Sequence, residues 1–268
     1  MWETPETPFP LKSIEEIQRV QSDRKRLAVE RAKGSAFFAG RLDHLNLNQL
    51  DDPNEWRKIP ILTKDELRAL PPGRFFEDFC IGAREDVVEY WRSGGATGRP
   101  LFYPRSHDDM RFGLEAFRRL WLTAGVGPTD LVQISFPLGI HPVGSLYART
   151  AEELGIGTVW CGAGNSTPSE QQVELIETLK PTVFAGMASY GLQIAHVAEK
   201  MGVNLAASSV TKFLTAAEPL SSGKRMRIEK MWGAEVYDQF GCTEGSAMAS
   251  ETSRHDGMVF WSDLYHFE

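Results

Sequence analysis

Short apolar runs alternate with helix-length segments along the second half of the chain, and this alternation constrains the fold more than any other feature. The runs are Leu131–Ile134, Thr158–Trp160, Thr182–Ala185, Val210–Thr215 and Ala234–Tyr237. Such an alternation predicts a mostly parallel β-sheet with helices on its faces. The runs contain few polar positions, as expected of strands that are covered on both sides. We therefore predict an α/β fold.

The part of the chain before this alternation has a different pattern. Ser13 followed by Glu16, and Thr63 followed by Glu66, are capping-box patterns, and each predicts the start of a helix. We predict that residues 1–84 form a helical cap segment and that residues 85–268 form the α/β core.

A glycine-rich stretch, Ser93 to Pro100, lies between two short predicted strands and reads Ser-Gly-Gly-Ala-Thr-Gly-Arg-Pro. Its glycines, two hydroxyls and one arginine offer the N–H groups and the cation that an anion of several phosphates needs. The spacing is neither that of a P-loop nor that of a dinucleotide fingerprint. A plain flexible hairpin loop stays open as an alternative.

Two further polar stretches follow predicted strands of the sheet. Ala216–Pro219 comes after one strand and Gln239–Glu244 comes after the next. Ligands of such sheets bind beyond the carboxyl ends of the strands. The sequence therefore predicts that these stretches are loops beside one crevice.

Composition excludes several classes of function. A formal net charge of -7 and a pI near 5.5 give no basic footprint for nucleic acid. The three cysteines are widely separated, which fits a reduced interior rather than a disulfide framework. No stretch approaches the roughly 18 apolar residues of a membrane span, and the first residues do not resemble a secretory signal. We predict a cytoplasmic enzyme and leave open whether it is a homodimer.

Four stretches, taken in order, resemble the motifs of one known family. They are Ile59–Arg68, Ser93–Pro100, Ala216–Pro219 and Tyr237–Glu244. Together they are similar to motifs of the adenylate-forming enzymes, the acyl-CoA synthetase superfamily, and most similar to the phenylacetate-CoA ligase branch, over residues 12–268. The resemblance implies the large N-terminal adenylation domain, incomplete at its C-terminal end and without the small C-terminal domain. It also implies ATP-dependent activation of an aromatic carboxylic acid to an acyl adenylate, followed by thioester formation with coenzyme A.

The resemblance assigns nucleotide roles to individual residues. It gives phosphate binding to Ser93, Gly94, Gly95, Ala96, Thr97, Gly98 and Arg99. It implies that Thr243 donates to the α-phosphate and that Glu244 binds Mg²⁺, although the local sequence alone favours a solvated loop carboxylate for Glu244. It implies that the Phe240 ring and the backbone of Ala217, Glu218 and Pro219 enclose adenine. Asp238 and Gln239 either hydrogen-bond the edge of the base or form a polar turn at a strand end.

The acid site is assigned on the same basis. The resemblance places Phe136 and His141 in an aromatic-rich segment beside the acid, with His141 at a position that an aromatic residue holds in the relatives. His141 then contacts the carboxylate or a polar ring substituent, or else is a structural histidine. Ala216 and Gly241 are small and leave room for a flat ring. We expect an acid other than phenylacetate, and no structural zinc at His255, which has no cysteine pair beside it.

Two other functions stay open. Either the acyl group is transferred to a carrier protein, or the chain is a non-catalytic nucleotide-binding or regulatory homologue. The final run, Trp261–Glu268, is apolar and aromatic and predicts a strand in progress. We expect the chain alone to bind ATP or AMP weakly and to form acyl-CoA at a negligible rate.

Overall fold

The computed structural model describes residues 13–94 and 98–268, without the side chain of Pro72. The chain divides into two compact units. The first falls within Met1–Met110 and takes in Ser262–Glu268, and the second is Arg111–Trp261. The predicted boundary near residue 84 stays a prediction.

The first unit is built from short helices and one hairpin. Its α-helices are α1 (Ile14–Ala32), α2 (Pro53–Trp56), α3 (Lys64–Ala69) and α4 (Phe75–Phe79), and the 3₁₀ turns are Leu47–Gln49, Pro72–Arg74 and Arg84–Asp86. Strands β1 (Val87–Arg92) and β2 (Phe102–Ser106) pair in antiparallel fashion. One apolar cluster consists of Val29, Leu42, Leu45 and Leu50, and another of Leu67, Leu101 and Tyr103.

Local capping explains where two of these helices begin. The Ser13 side chain accepts a hydrogen bond from the Glu16 amide at the start of α1. At α3 the Thr63 side chain and the Glu66 carboxylate form a complete capping box. Both predicted starts are confirmed, since a capping box depends only on residues that are close in sequence.

The strand predicted over Trp261–Glu268 is wrong, since residues 261–268 form a turn and irregular backbone. The Ser262 carbonyl accepts a hydrogen bond from the Gln21 side chain at 2.7 Å, and the Asp263 carbonyl accepts one from Arg24. These carbonyls are satisfied by side chains of α1 rather than by a strand ladder. The apolar and aromatic composition indicated a strand, but it carried no information about these side-chain partners.

The second unit is the predicted α/β layer structure. Its helices are α5 (His107–Thr123), within which the boundary between the units falls, α6 (Pro142–Glu153), α7 (Ser169–Leu179), α8 (Ala188–Met201) and α9 (Ser222–Trp232), and Leu205–Ala207 is a 3₁₀ turn. Its strands are β3 (Leu131–Ile134), β4 (Gly157–Trp160), β5 (Val183–Ala185), β6 (Lys212–Thr215), β7 (Glu235–Cys242), β8 (Ser246–Glu251) and β9 (Met258–Phe260). In the described part of the chain these strands lie in the order β4-β3-β5-β6-β7-β8-β9.

The pairing within this sheet changes direction at β7. Neighbours from β4 to β7 are parallel, whereas β7 with β8 and β8 with β9 are antiparallel. The mostly parallel α/β fold predicted from the sequence is confirmed. One face of the sheet packs Phe184, Phe213 and Trp232 into a fully buried aromatic cluster. None of the helices described is long and apolar enough to cross a membrane.

Candidate functional site

The carboxyl ends of β6 and β7 bring the two polar stretches together. The strands are parallel neighbours in which Thr215 pairs with Asp238, so Ala216–Pro219 begins beside the middle of β7. The prediction that Ala216–Pro219 follows a strand is confirmed, because the stretch comes directly after β6. The prediction that Gln239–Cys242 is a loop is wrong, because these residues continue β7 and pair with β8. Only residues 243–245, which include Thr243 and Glu244, form the turn.

The stretch after β6 has a constrained backbone. Ala217 has φ 71°, a left-handed conformation that is uncommon for residues other than glycine. The Glu218 carboxylate accepts hydrogen bonds from the Ser189 amide at 2.5 Å and the Ser189 hydroxyl at 2.9 Å, in the first turn of α8. Lys224 lies 3.4 Å from the same carboxylate. The side chain of Glu218 therefore anchors this stretch, and its backbone is what the adenine prediction uses.

Phe240 is an exposed aromatic residue within β7. Its relative exposure is 48%, and its ring centroid lies 6.5 Å from that of Phe260. The register of β7 shifts between Phe240 and Gly241. A Cβ at Gly241 would lie 2.4 Å from the Ser246 carbonyl oxygen, so the close approach of β8 requires glycine there. Space for an acid ring beside Gly241 and the half-buried Ala216 stays a prediction.

Asp238 lies beside a hydrogen-bonded ion pair. The Glu251 carboxylate accepts the Asp238 amide at 2.9 Å and both oxygens accept from Arg225 at 2.7 Å. Burial and then the negative charge of Glu251 raise the pKa of Asp238 to about 6, against a smaller opposing effect of Arg225. Burial also acts to raise the pKa of Glu251, but Arg225 and the Asp238 amide outweigh it and hold that pKa below its usual value.

Gln239 and Phe136 belong to the interior beneath this region. Gln239 is 3% exposed, accepts a hydrogen bond from the Tyr147 hydroxyl and donates to the Leu120 carbonyl at 3.2 Å. Burial raises the pKa of Tyr147, so its hydroxyl stays protonated as the donor. Phe136 is fully buried and stacks on Tyr147 with ring centroids 4.9 Å apart. Gln239 was predicted to contact the base edge and Phe136 to contact the acid. Both side chains are buried instead, because they pack against Tyr147.

Three of the predicted site residues are half-buried and lie in segments that connect helices or strands. His141 lies directly before α6, and Thr243 and Glu244 lie in the turn between β7 and β8. Over residues 13–94 and 98–268, no three His, Cys, Asp or Glu side chains are grouped to hold a metal ion. A metal bound at Glu244 would therefore take most of its ligands from water or from the bound substrate.

The glycine-rich stretch belongs to the first unit, and Gly95, Ala96 and Thr97 lie outside the described residues. The buried Ser93 pairs its amide with the Leu101 carbonyl at 2.9 Å, and its hydroxyl accepts the Leu101 amide at 2.9 Å. Gly94, Gly98 and Arg99 are exposed. The Arg99 side chain donates to the carbonyls of Arg68 and Leu70, each at 3.1 Å.

The sequence did not reveal the supporting residues Tyr147, Ser189, Arg225 and Glu251. Ser189 is 29 residues from Glu218, and Tyr147 is 92 residues from Gln239. No local spacing rule connects residues so far apart. Arg225 and Glu251 are ordinary charged residues in a helix and a strand, so their pairing became visible only in three dimensions.

Comparisons with known proteins found a family model that matches most of this chain. The family described as "AMP-binding enzyme" matches residues 18–262. The phenylacetate-coenzyme A ligase of Escherichia coli (strain K12) is 26% identical over 97% of this chain and 60% of its own length. That of Aromatoleum evansii is 27% identical over 97% of this chain and 59% of its own length. The chain thus spans about 60% of the length of these relatives.

A solved structure of a relative has the same fold. It is a 2-hydroxyisobutyryl-CoA ligase in complex with 2-HIB-AMP and CoA in the thioesterification state, 26% identical to this chain. The TM-score is 0.83, with 93% of this chain and 55% of that chain covered. The fold is that of the N-terminal adenylation portion of such ligases. The family match covers most of the sequence, and the chain belongs to the AMP-binding enzyme family.

Proposed function

We propose that this chain is the nucleotide- and acid-binding portion of an AMP-forming ligase that activates an aromatic carboxylic acid and transfers it to coenzyme A. The observation that carries the proposal is the position of Ala216–Pro219 and of Thr243 and Glu244. The first stretch follows β6, and the two residues follow the neighbouring strand β7. Open α/β sheets bind ligands at this edge.

Adenine fits the residues around Phe240. An aromatic face that is 48% exposed offers a stacking surface, and Asp238 is half-buried two residues earlier. The positive φ of Ala217 is the kind of backbone strain that clusters at ligand sites. Because Glu218 is bonded to Ser189, the backbone of this stretch is held in place before any ligand binds.

The phosphates and the metal are assigned to the turn after β7. We propose that the Thr243 hydroxyl donates to the α-phosphate and that Glu244 is the protein ligand of Mg²⁺. A single carboxylate is enough, because Mg²⁺ commonly takes one or two carboxylates together with substrate phosphates. When bound, Mg²⁺ neutralises phosphate charge. We also propose that residues Ser93–Gly98 of the glycine-rich stretch bind phosphates.

The proposed reaction needs positioned donors rather than a protein nucleophile. An acid carboxylate oxygen forms a bond to the α-phosphorus of ATP, and the bond from that phosphorus to the pyrophosphate oxygen breaks. A thiol then replaces AMP on the acyl carbon. The aromatic character of the acid is proposed from the likeness to the phenylacetate-coenzyme A ligases. His141 is proposed as the contact for the carboxylate or for a polar ring substituent.

The test is acid-dependent exchange of labelled pyrophosphate into ATP. It uses a panel of benzoates, phenylacetates and their hydroxy and amino derivatives. This chain is assayed alone and as a fusion with the portion of the Escherichia coli phenylacetate-coenzyme A ligase that it does not cover. We expect exchange with at least one aryl acid in the fusion. If the protein binds nucleotide but shows no exchange with any acid of the panel, a non-catalytic homologue is favoured. Offering coenzyme A or a carrier protein as the thiol acceptor then distinguishes the two possible transfer reactions.

Glu244→Gln tests the metal assignment within the same assay. We expect exchange to fall about 100-fold or more, because the change removes the charge of the proposed metal ligand. Glu177→Gln, at an exposed position on α7, is the matched control and should leave exchange unchanged. Near-normal pyrophosphate exchange by Glu244→Gln at saturating Mg²⁺ would contradict the assignment of Glu244 as the metal ligand.

A further inference from the structure

Helix α3 lies against the end of the glycine-rich stretch, and two arginines contact each other's backbone there. The Nε atom of Arg68 donates to the Arg99 carbonyl at 3.3 Å. In return, Nη2 of Arg99 donates to the carbonyls of Arg68 and Leu70, each at 3.1 Å. All three residues belong to the first unit. Arg68 ends the Ile59–Arg68 motif, which the proposed function leaves without a role.

The contact provides hydrogen-bond donors for carbonyls at the end of α3, and it joins an arginine side chain that is itself restrained. The last carbonyls of a helix have no partner within the helix. The six-residue helix α3 ends at Ala69, and Arg99 supplies donors to carbonyls on either side of that end. Arg68 is itself restrained, since its side chain is 17% exposed and Nη1 lies 3.2 Å from the Asp65 carboxylate. The guanidinium is therefore held in place when it meets the glycine-rich stretch.

Gly98 packs directly on this guanidinium. It has φ 150°, and a Cβ built there would lie 3.4 Å from Cζ and Nε of Arg68. On the other flank, Ser93 and Leu101 exchange hydrogen bonds that close the base of the hairpin. The described residues on both sides of the stretch thus have fixed partners, one set in the hairpin and the other at the end of α3.

We propose that Arg68 and Arg99 are positioning residues that together clamp the end of the glycine-rich stretch to α3, and that Arg99 is not a phosphate ligand. The phosphate-binding role that the resemblance implied for Arg99 is thereby revised. The donors of its Nη2 atom point to backbone carbonyls of the protein. The consequence for nucleotide affinity rests on the proposed function, whereas the clamp itself does not.

Amide hydrogen exchange of the nucleotide-free chain tests the clamp. We expect Arg68→Gln and Arg99→Gln each to speed exchange in residues 68–71 and 98–103 by about fivefold or more, the factor that the loss of one hydrogen bond corresponds to. Arg57→Gln, an exposed arginine of the same unit, is the matched control. Exchange in both clamp variants equal to that in the control would overturn the proposal.

Nucleotide binding separates the clamp from a phosphate contact. Arg99→Lys keeps the positive charge but replaces the planar fork with a shorter point charge. We expect Arg99→Lys, Arg99→Gln and Arg68→Gln to weaken ATP binding to a similar extent, within about a factor of two of each other. A lysine variant with normal affinity, beside a glutamine variant weakened about tenfold or more, would show that Arg99 contacts phosphate and would overturn the proposal.

A double variant adds a third criterion. Because the two side chains act in one contact, Arg68→Gln with Arg99→Gln should weaken ATP binding less than the product of the single effects, by at least about twofold. Fully multiplicative effects would contradict a shared role. A wild-type chain that binds no nucleotide would contradict the proposed function. The amide hydrogen exchange experiment would still decide whether the clamp exists.

Discussion

Asp238 shows how the surroundings of a single residue set its chemistry. Its carboxyl is half-buried, with Glu251 of β8 and Arg225 of α9 as its charged neighbours. Its backbone amide, by contrast, is well satisfied by Glu251. The backbone of Asp238 is therefore held by a hydrogen bond, whereas ionisation of its carboxyl is unfavourable. Such a combination is common where a protein prepares a contact for a ligand.

We predict that Asp238→Asn becomes more stable relative to the wild type as the pH rises from 4 to 7. The folded pKa of about 6 lies above the reference value of 3.8, so the folded state holds a proton that the unfolded state has lost in this range. The cost of ionising this carboxyl therefore builds up between about pH 4 and pH 6 and is constant above that range, on the order of 1 kcal/mol after allowance for solvent screening. Denaturant unfolding of both proteins at several pH values measures the difference. A difference that does not change between pH 4 and 7 would contradict the raised pKa.

Residue-level predictions from sequence succeeded where partners are close along the chain. Ser13 with Glu16 and Thr63 with Glu66 are three residues apart, and their capping contacts followed from spacing alone. The side-chain environments of Phe136, Gln239 and Arg99 did not, because their partners come from other elements. A motif assigns a residue type to a position, but tertiary contacts decide what its side chain reaches.

At the scale of elements, Glu251 joins three pieces of the sheet region. It lies at the end of β8, binds Arg225 of α9 and accepts the Asp238 amide of β7. Arg225 also donates to the Val236 carbonyl at 2.6 Å, a second link from α9 to β7. His255 lies between Glu251 and Glu235, at 3.4 Å and 3.0 Å. The antiparallel end of the sheet is thereby fastened to a helix of the parallel part.

We predict that Glu251→Gln lowers the free energy of unfolding by about 2 kcal/mol, because it leaves a partly buried arginine without its bidentate carboxylate. Glu235→Gln is the matched control, since its side chain is 42% exposed and contacts the same histidine. The control should change stability by less than about 0.5 kcal/mol. Chemical denaturation at pH 7 measures both. Equal effects of the two variants would mean that the ion pair does not join these elements.

The packing of α8 on β6 depends on a glycine. A Cβ at Gly191 would lie 2.2 Å from the Phe213 ring, and the Gly191 carbonyl accepts the Trp232 indole N–H at 3.1 Å. We predict that Gly191→Ala destabilises the protein by about 1–3 kcal/mol through overpacking. Gly223→Ala in α9 meets no atom within 4 Å and should be neutral or stabilising. Thermal or chemical unfolding distinguishes the two, and a neutral Gly191→Ala would contradict the close packing.

For the whole molecule, the sequence predicted the architecture better than the details of the site. Apolar runs identified β3, β5, β6 and β7, because buried strands leave a strong pattern, and they also identified the edge strand β4, which has no buried residue. The continuation of β7 to Cys242 was not predicted, since Gln239–Cys242 contains a glycine and no continuous apolar run, and it is a strand only through its pairing with β8. The same limit applies to Trp261–Glu268, where composition indicated a strand but two carbonyls bond to side chains of α1 instead. Long-range pairing is the information that local patterns lack.

Calorimetric titration of ATP with Mg²⁺ into the 268-residue chain tests most directly whether the edge of the sheet after β6 and β7 binds an adenine nucleotide. We predict saturable binding that Phe240→Ala weakens about tenfold, the effect of losing one stacking contact. Trp160→Ala is the matched control, because it removes an aromatic residue that is 54% exposed on β4, at an edge of the same sheet, and it should leave the affinity unchanged. Binding that the two variants weaken equally, or no saturable binding by the wild-type chain, would contradict the account.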